Sequence, residues 1–278
     1  MPEFTSVRRG MSVALAAMFA AVAPLAGAHA QPAGSRDDTI RTRTLAWPST
    51  DHLFVSLRAD VRYVQGPAAK AVITGPASEI DDIVVDGGFI RHAPSHWGWD
   101  WWKIWGWRDW RSQPDVHIVV TAPRVAAAGV SGSGHLDLGR LAQDRLDLAI
   151  SGSGAADVSG QLKSLGVAVS GSGAARMTQI DVGDMSAHLS GSGQIRASGA
   201  ARSLRLGVSG SGVADLGGLA AQDVEAHLSG SGSARLSPRQ SAELAVSGSG
   251  SIRLLTEPQR LNTHRSGSGA IIRANGSF

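Results

Sequence analysis

The tetrapeptide Ser-Gly-Ser-Gly occurs eight times after residue 130, and successive copies begin 18 to 20 residues apart. A flexible linker has no reason to keep that spacing, whereas a solenoid built from coils of nearly equal length requires it. We therefore interpret the glycines of the motif as structural corners that recur once in every coil. These sixteen glycines are Gly132, Gly134, Gly152, Gly154, Gly171, Gly173, Gly191, Gly193, Gly210, Gly212, Gly230, Gly232, Gly248, Gly250, Gly267 and Gly269.

Apolar residues alternate with polar ones on both sides of each motif. In one coil, Leu146, Leu148 and Ile150 precede the motif at every second position, and Ala156 and Val158 follow it at the same spacing. Period-two alternation is typical of strands with one buried face. Because the inward parity continues through the motif, we expect both glycines to point inward. Both serines would then point outward, where their hydroxyls would form a ladder along the stack.

These features predict an all-β fold, a right-handed parallel β-helix with about 19–20 residues per coil. Each coil would hold two short strands, the glycine corner and a return loop, for example Gly139–Arg145 or Ser237–Ser241. A single coil cannot bury its apolar row alone, but stacked coils can. A β-propeller does not fit, because its blades need about 40 residues.

The pattern divides the chain into four segments. We predict a signal peptide over 1–30, a flexible mature N-terminus over 31–38, irregular first coils with a cap over 39–130, and the regular repeat over 131–278. The irregular segment is expected because a solenoid needs atypical end coils to cover its core. Its strand candidates are Ile40–Ala46, Leu53–Val64, Ala69–Thr74, Asp82–Val85, Phe89–His92 and Val116–Thr121.

The first thirty residues have the order of an export signal. Arg8 and Arg9 precede the Ala-rich apolar stretch Ser12–Ala26, and Ala28–Ala30 supplies small residues at the spacing of a signal peptidase site. This order predicts cleavage after Ala30 and export to the periplasm, the cell surface or the extracellular space. The apolar stretch is short for a membrane span, which needs about 20 residues.

Cysteine content and charge exclude several other classes of protein. The chain contains no cysteine, so it can form neither disulfides nor thiolate metal sites. Its formal net charge of +3 is mild and does not favour nucleic acid as a partner.

Tryptophan is concentrated in one short insertion over 94–113. Seven of the eight tryptophans lie there, between two strand candidates, while residues 131–277 contain no Phe, Trp or Tyr. One interpretation is a lid whose indoles pack on the solenoid, because large aromatic side chains usually serve burial. The alternatives are a binding surface for a glycan, a cell surface or a protein, and a peripheral membrane contact. The seven candidates are Trp97, Trp99, Trp101, Trp102, Trp105, Trp107 and Trp110.

Asp137 and Asp157 are the best candidates for a catalytic acid pair. They take the same outward position on consecutive coils, so about 4.8 Å would separate their strands. A pair this close would suit retaining glycosidase chemistry. The next coil has Arg176 at this position, and no aromatic platform flanks the row. A mixed charge ladder therefore explains the pair better than catalysis does.

Three histidines suggest a metal row. His188, His227 and His264 each stand two residues before a motif. Neighbouring members of this row would be two coils apart, about 9.6 Å. One zinc ion cannot join them, because Zn–N bonds are only about 2.0–2.1 Å long. We therefore predict no metal, no cofactor and no catalytic residues.

Several stretches occur in a recognisable order between residues 53 and 275. They are Val61–Gly66, Asp82–Ile90 and Val116–Pro123, followed by repeats of the Val130–Gly134 type. In this order they resemble the bacterial putative autotransporter adhesin, head GIN domain family, a domain of unknown function. The resemblance implies a secreted or surface β-helix with an adhesive role, and it transfers no catalytic residue to this chain.

The sequence thus predicts an exported β-helical binding or adhesin-like protein of the cell envelope that is not an enzyme. The alternatives are a β-helical carbohydrate-active enzyme and a purely structural envelope protein. An acidic cluster in a groove would favour the enzyme, and exposed tryptophans beside a flat sheet would favour the binding protein, because function depends on a site and not on a fold.

Overall fold

The computed structural model describes residues 39–48, 50–93 and 116–273, and most of these residues are in strands. One short helix, α1, spans Ala77–Ile80, and no helix in the described ranges is long and apolar enough to cross a membrane. The strands are β1 Ile40–Ala46, β2 His52–Val55, β3 Asp60–Gln65, β4 Lys70–Pro76, β5 Ile83–Asp86, β6 Phe89–His92, β7 His117–Ala122, β8 Ala127–Gly132, β9 His135–Gly152, β10 Ala155–Gly171, β11 Ala174–Gly191, β12 Gln194–Gly210, β13 Val213–Gly230, β14 Ser233–Gly248, β15 Ser251–Leu254, β16 Arg260–Ser266 and β17 Ala270–Ile272.

Strands β9 to β14 form the regular solenoid, in which neighbouring strands pair in parallel. In β10 the pairing occurs in three runs, Ala155–Val158, Gly160–Leu162 and Ser164–Gly171, which we call runs A, B and C. The corresponding runs recur in the other coils, and the stack comprises about seven turns. The prediction of an all-β protein with a parallel β-helix of stacked coils is confirmed.

The return loops predicted at Gly139–Arg145 and Ser237–Ser241 are wrong, because the backbone there stays paired with its neighbours as run B. Leu141, for example, pairs with Gly160. The chain turns into run B at residues with a positive φ, which is 58° at Arg140 and 127° at Gly160. The pairing register between neighbouring coils shifts at this point. The shift absorbs the difference in length between coils, so the strands bend here and stay paired.

The structure corrects half of the prediction for the glycine corners. The second glycine of each motif is buried, as Gly154 is, but the first is exposed or half-buried. The first glycine has a positive φ, 95° at Gly152, a conformation that favours glycine. It therefore turns the chain instead of pointing inward, and the strict alternation is interrupted there. Both serines are exposed as predicted, but no bond joins the hydroxyls of motif serines within the described ranges.

Backbone hydrogen bonds connect one corner to the next. The N–H of Ser153 donates to the carbonyl of Gly132 at 2.9 Å, and the N–H of Ala155 donates to the carbonyl of Gly134 at 3.0 Å. Equivalent bonds recur at the following corners. The corner is thus part of the same ladder as runs C and A.

The core of the repeats consists of stacked aliphatic rows. Leu148 and Ile150 of β9 are at most 2% exposed, and the equivalent residues of the other coils are buried in the same way. The large aromatic core residues, Trp47 and Tyr63, both lie before the repeats. The Tyr63 hydroxyl donates to the carbonyl of Ala122 at 2.8 Å, and burial raises the pKa of Tyr63 to about 12. This buried hydroxyl is therefore both neutral and satisfied.

The single strand predicted at Leu53–Val64 is wrong, because the structure divides it into β2 and β3. Ser56–Ala59 between them forms a further corner of the stack, and the N–H of His135 donates to the carbonyl of Ala59 at 2.9 Å. β2 is parallel to β8, and β3 is parallel to β9, so this segment is one more layer of the solenoid. The break is not apparent in the sequence because this corner has no glycine.

The segment before the repeats also contains antiparallel strands. β4 pairs antiparallel with both β1 and β7, and β5 and β6 form a hairpin. β6 and β7 then pair in parallel with β2 and β3. β6 and β7 thus continue the stack beyond β2 and β3, and β4 and β5 join them as antiparallel partners.

Replacing Gly154 with alanine should destabilise the solenoid. The added Cβ would lie 2.5 Å from Cγ1 of Val130 and 2.9 Å from the carbonyl oxygen of Gly134. Overpacking of this kind costs about 1–3 kcal/mol, which urea unfolding would measure. The matched control is Ser153→Ala on the exposed side of the same corner, which should change the free energy of unfolding by less than about 0.5 kcal/mol. Equal stability of the two variants would contradict this account of the corner.

Candidate functional site

The described flanks of the insertion that carries the seven tryptophans lie at a corner of the stack. The N–H of Ser56 donates to the carbonyl of Ile90 at 3.0 Å, and the N–H of Asp60 donates to the carbonyl of Val116 at 2.9 Å. The second bond corresponds to the one that His135 donates across the next corner. By this register, the chain has residues 91–116 between two positions that the neighbouring layer joins with Ser56–Ala59 alone. The predicted site residues Trp97, Trp99, Trp101, Trp102, Trp105, Trp107 and Trp110 lie outside the described residues.

A pair of aromatic side chains stands on the outer surface beside this corner. The rings of Phe54 and Phe89 stack with their centroids 5.1 Å apart and their planes at 17°, and Phe89 is 45% exposed. The Phe54 ring lies over Gly129, where a Cβ would come within 2.6 Å of it. Sequence reasoning did not select this pair. The pair could have been found from the sequence, because both residues stand two positions before a corner, where the alternation predicts an outward side chain.

A chain of imidazoles and carboxylates crosses four strands, β7, β3, β9 and β10. Nδ1 of His117 lies 3.5 Å from Oδ2 of Asp60, and Oδ1 of Asp60 lies 3.1 Å from Nδ1 of His135. Nε2 of His135 lies 2.6 Å from Oδ2 of Asp157. An imidazole that donates from both ring nitrogens is the protonated form. The site therefore favours a positive charge on His135.

The pKa of His135 follows from these contacts. Partial burial acts to lower the pKa, but the hydrogen bonds and the charges of Asp157 and Asp60 outweigh it, and the net effect raises the pKa. The sequence did not point to His135 because neither partner follows from the repeat. Asp60 lies in the irregular layer before the repeats, and Asp157 lies in the next coil, two residues beyond the position in register with His135.

The candidate acid pair lies on adjacent strands, where Asp137 and Asp157 are in register. Each carboxylate, however, has a cationic partner. Nε of Arg62 lies 3.4 Å from Asp137, and His135 bonds to Asp157. The arrangement is a ladder of paired charges and does not leave an acid and a nucleophile facing each other across an open site.

The three histidines of the candidate metal row are separated from one another, as the repeat spacing predicts. Gly207 stands between His188 and His227 in the register, and Ala245 stands between His227 and His264. His188 contacts the hydroxyl of Ser186 at 3.2 Å, and His227 contacts Glu225 at 3.1 Å. Within the described ranges, no three His, Asp or Glu side chains are arranged to hold a metal ion.

Comparison with family models matches residues 51–258 to the putative auto-transporter adhesin, head GIN domain. The chain belongs to this family. The match includes the layer of β2 and β3, the antiparallel strands β4 and β5 and most of the repeats, so the resemblance found in the sequence is confirmed. A comparison of this head GIN domain chain with curated proteins gave no match.

Solved structures of bacterial proteins share the fold of this head GIN domain. A putative lipid binding protein from Parabacteroides distasonis matches with a TM-score of 0.74 and 22% identity, over 84% of this chain and 96% of its own. A putative adhesin from the same organism matches with a TM-score of 0.69 and 17% identity, over 86% of this chain and 98% of its own. A putative adhesin from Bacteroides fragilis matches with a TM-score of 0.60 and 21% identity, over the same shares. At these identities the likeness shows the fold alone.

His135 should make the stability of the protein depend on pH. Because its pKa is raised in the folded protein, its contribution is complete below the unfolded value of about 6.5 and is lost as the pH rises through the folded value. Urea unfolding between about pH 5 and 8 should therefore show a loss of stability with rising pH that is smaller in His135→Gln.

The control for this prediction is His188→Gln, because the imidazole of His188 contacts the hydroxyl of Ser186 instead of a carboxylate. This variant removes an outward imidazole without removing a contact to a carboxylate, so it is the reference for the His135 variant. An identical profile for the His135 variant would show that the imidazole between Asp60 and Asp157 does not stabilise the fold.

Proposed function

We propose that this protein is an exported, adhesin-like binding protein of the cell envelope and that it has no catalytic activity. The observation that carries the proposal is the position of the described flanks of the tryptophan insertion. The layer of β2 and β3 turns with Ser56–Ala59, whereas the next layer has residues 91–116 between the positions in register, Ile90 and His117. Membership of an adhesin-like family supports the same function.

The composition of the insertion suits contact with a partner. Its tryptophans alternate with charged residues such as Asp100, Lys103 and Arg108. Tryptophan is enriched among the residues that contribute most to binding at interfaces, and its flat apolar ring suits the face of a sugar. The exposed stack of Phe54 and Phe89 adds an aromatic contact beside the flank of the insertion. We therefore propose a surface glycan as the partner.

Contact with a lipid surface is the second candidate. Tryptophan prefers the interface between lipid headgroups and water. One structural relative of this chain is named as a putative lipid binding protein, which supports including lipids among the ligands to be tested.

The paired charges support the absence of catalysis. Asp137 and Asp157 would have to act as an acid and a nucleophile in a retaining hydrolase. Arg62 and His135 instead hold them as paired anions. The described outer surface thus offers a regular array of contacts without a reactive pair.

Replacing Trp99, Trp101, Trp105 and Trp107 together with alanine should abolish glycan binding without unfolding the solenoid. The expected loss is large, because aromatic anchors at an interface each contribute about 2 kcal/mol or more. A glycan array probed with the mature protein and the variant would measure it, and circular dichroism during heating would test the fold.

The eighth tryptophan provides a contrasting control. Trp47 is 5% exposed and packs in the core, so Trp47→Ala should lower the free energy of unfolding by about 3–5 kcal/mol while binding by the folded fraction persists. If the fourfold variant binds glycans as well as the unmodified protein does, the insertion is not the contact surface. If neither protein binds any glycan or lipid, the purely structural alternative is favoured.

Export should depend on the predicted signal peptidase site. Full-length protein expressed in a Gram-negative host should reach the envelope fraction with Gln31 as its first residue. Ala28→Asp combined with Ala30→Asp should prevent cleavage, whereas Ala33→Asp, just beyond the site, should not. Mass spectrometry of the envelope and cytosolic fractions would distinguish these outcomes. An uncleaved, unmodified protein in the cytosol would contradict export.

A further inference from the structure

The third residue of run A forms an outward column along the solenoid, and the later members of this column are mostly basic. From β11 to β15 the position holds Arg176, Arg196, Asp215, Arg235 and Arg253, each in register with the next. We call the four arginines the arginine column. With about 4.8 Å between coils, the column extends over about 19 Å.

Three of the four guanidinium groups have no partner in the described part of the chain. Nη1 of Arg235 lies 3.3 Å from Oδ2 of Asp215. The side chains of Arg176, Arg196 and Arg253 are exposed and make no hydrogen bond or ion pair with any residue that the structure describes. The column therefore presents more positive charge than the protein itself neutralises.

The first half of the same column differs in this respect. Arg62 pairs with Asp137, and Asp157, the neighbour of Arg176 in the register, is bonded to His135 at 2.6 Å. The excess of positive charge thus begins at Arg176.

Arg176 and Arg196 face each other directly on neighbouring strands. Like charges in this arrangement destabilise a sheet, so an anion that bridges them would relieve repulsion as well as form new bonds. The outward column that stands two residues earlier in each coil has only uncharged side chains, so it cannot neutralise them. Its residues are Ala174, Gln194, Val213, Ser233 and Ser251.

We propose that the arginine column binds an acidic polysaccharide that lies along the axis of the solenoid. A guanidinium donates two parallel N–H bonds to one carboxylate, a geometry that lysine cannot provide. Two neighbouring pairs of coils present this donor, one pair on each side of Asp215, which fits a linear chain of carboxylated sugars better than a single small anion.

A polysaccharide fits the column better than a membrane does. Insertion into lipid requires a continuous face of exposed apolar side chains. Beside the column, the structure describes only two exposed large apolar residues, which flank it on opposite sides: Val213 at 38% and Leu255 at 46%. The proposal rests on the proposed function for the location of the protein outside the cytoplasm, where such polymers occur. It does not involve the tryptophan insertion, so the two sites can fail independently.

The test compares the mature protein with the double variant Arg176→Gln, Arg196→Gln. The probe is alginate, a linear polymer of uronic acids, and neutral dextran of similar length is the reference. Calorimetric titration should show binding of alginate but not of dextran, and the affinity should fall as salt is added. The double variant should bind alginate at least about tenfold more weakly, a loss of about 1.4 kcal/mol.

The matched control is Arg145→Gln, Arg202→Gln, which removes the same net charge elsewhere on the surface. Both arginines are already paired, with Asp147 and Asp184 respectively. This variant should bind alginate as the unmodified protein does. An equal loss in both variants would show a non-specific charge effect and overturn the proposal. Unchanged alginate binding in the double variant Arg176→Gln, Arg196→Gln would also overturn the proposal. Binding of the mature protein to vesicles of anionic phospholipid but not to alginate would overturn it as well.

The outcomes also separate this site from the proposed function. If the double variant Arg176→Gln, Arg196→Gln loses alginate binding but still binds on the glycan array, the protein has two distinct binding surfaces. A fourfold tryptophan variant that still binds alginate would support the arginine column even if the insertion has no role in binding. Thermal unfolding of every variant would confirm that each one is folded.

Discussion

The hydrogen-bond ladder that passes through the glycine corners is the interaction on which the rest of the structure depends. At Gly152 the chain turns with a φ of 95°, and at Gly154 the carbonyl of Gly134 leaves no room for a Cβ. This close approach keeps the coils bonded where most strands would end. The apolar row of each coil is buried only by its neighbours, so a corner that failed to bond would expose two coils at once.

The ladder also determines what the outer surface can do. Because neighbouring coils stay in register, a residue at one position of a coil stands beside its counterpart in the next coil. In the column that begins with Arg62 and Asp137, these first two members neutralise each other, whereas Arg176 and Arg196 further along meet as like charges. A substitution at one outward position therefore changes the charge balance of a whole column.

The parts of this fold that could be predicted are those that repeat. The inward rows, such as Leu148 and Ile150, and the neighbours Asp137 and Asp157 follow directly from the period. The corner at Ser56–Ala59 could not be found in this way, because it lacks the motif. The bond from His135 to Asp157 joins different positions of consecutive coils, so a column-by-column reading of the sequence does not place them together.

The same ladder holds the two described flanks of the tryptophan insertion. An inner corner bonds to a corner on each side, so a long insertion there would remove bonds from two neighbours. Ile90 and Val116 lie between Ser56–Ala59 on one side and the connection from β4 to β5, which holds α1, on the other. Bonds to Ser56 and Asp60 persist at the two flanks. The stack therefore stays bonded up to both described flanks of the insertion, and the glycine corners of the repeats stay bonded as well.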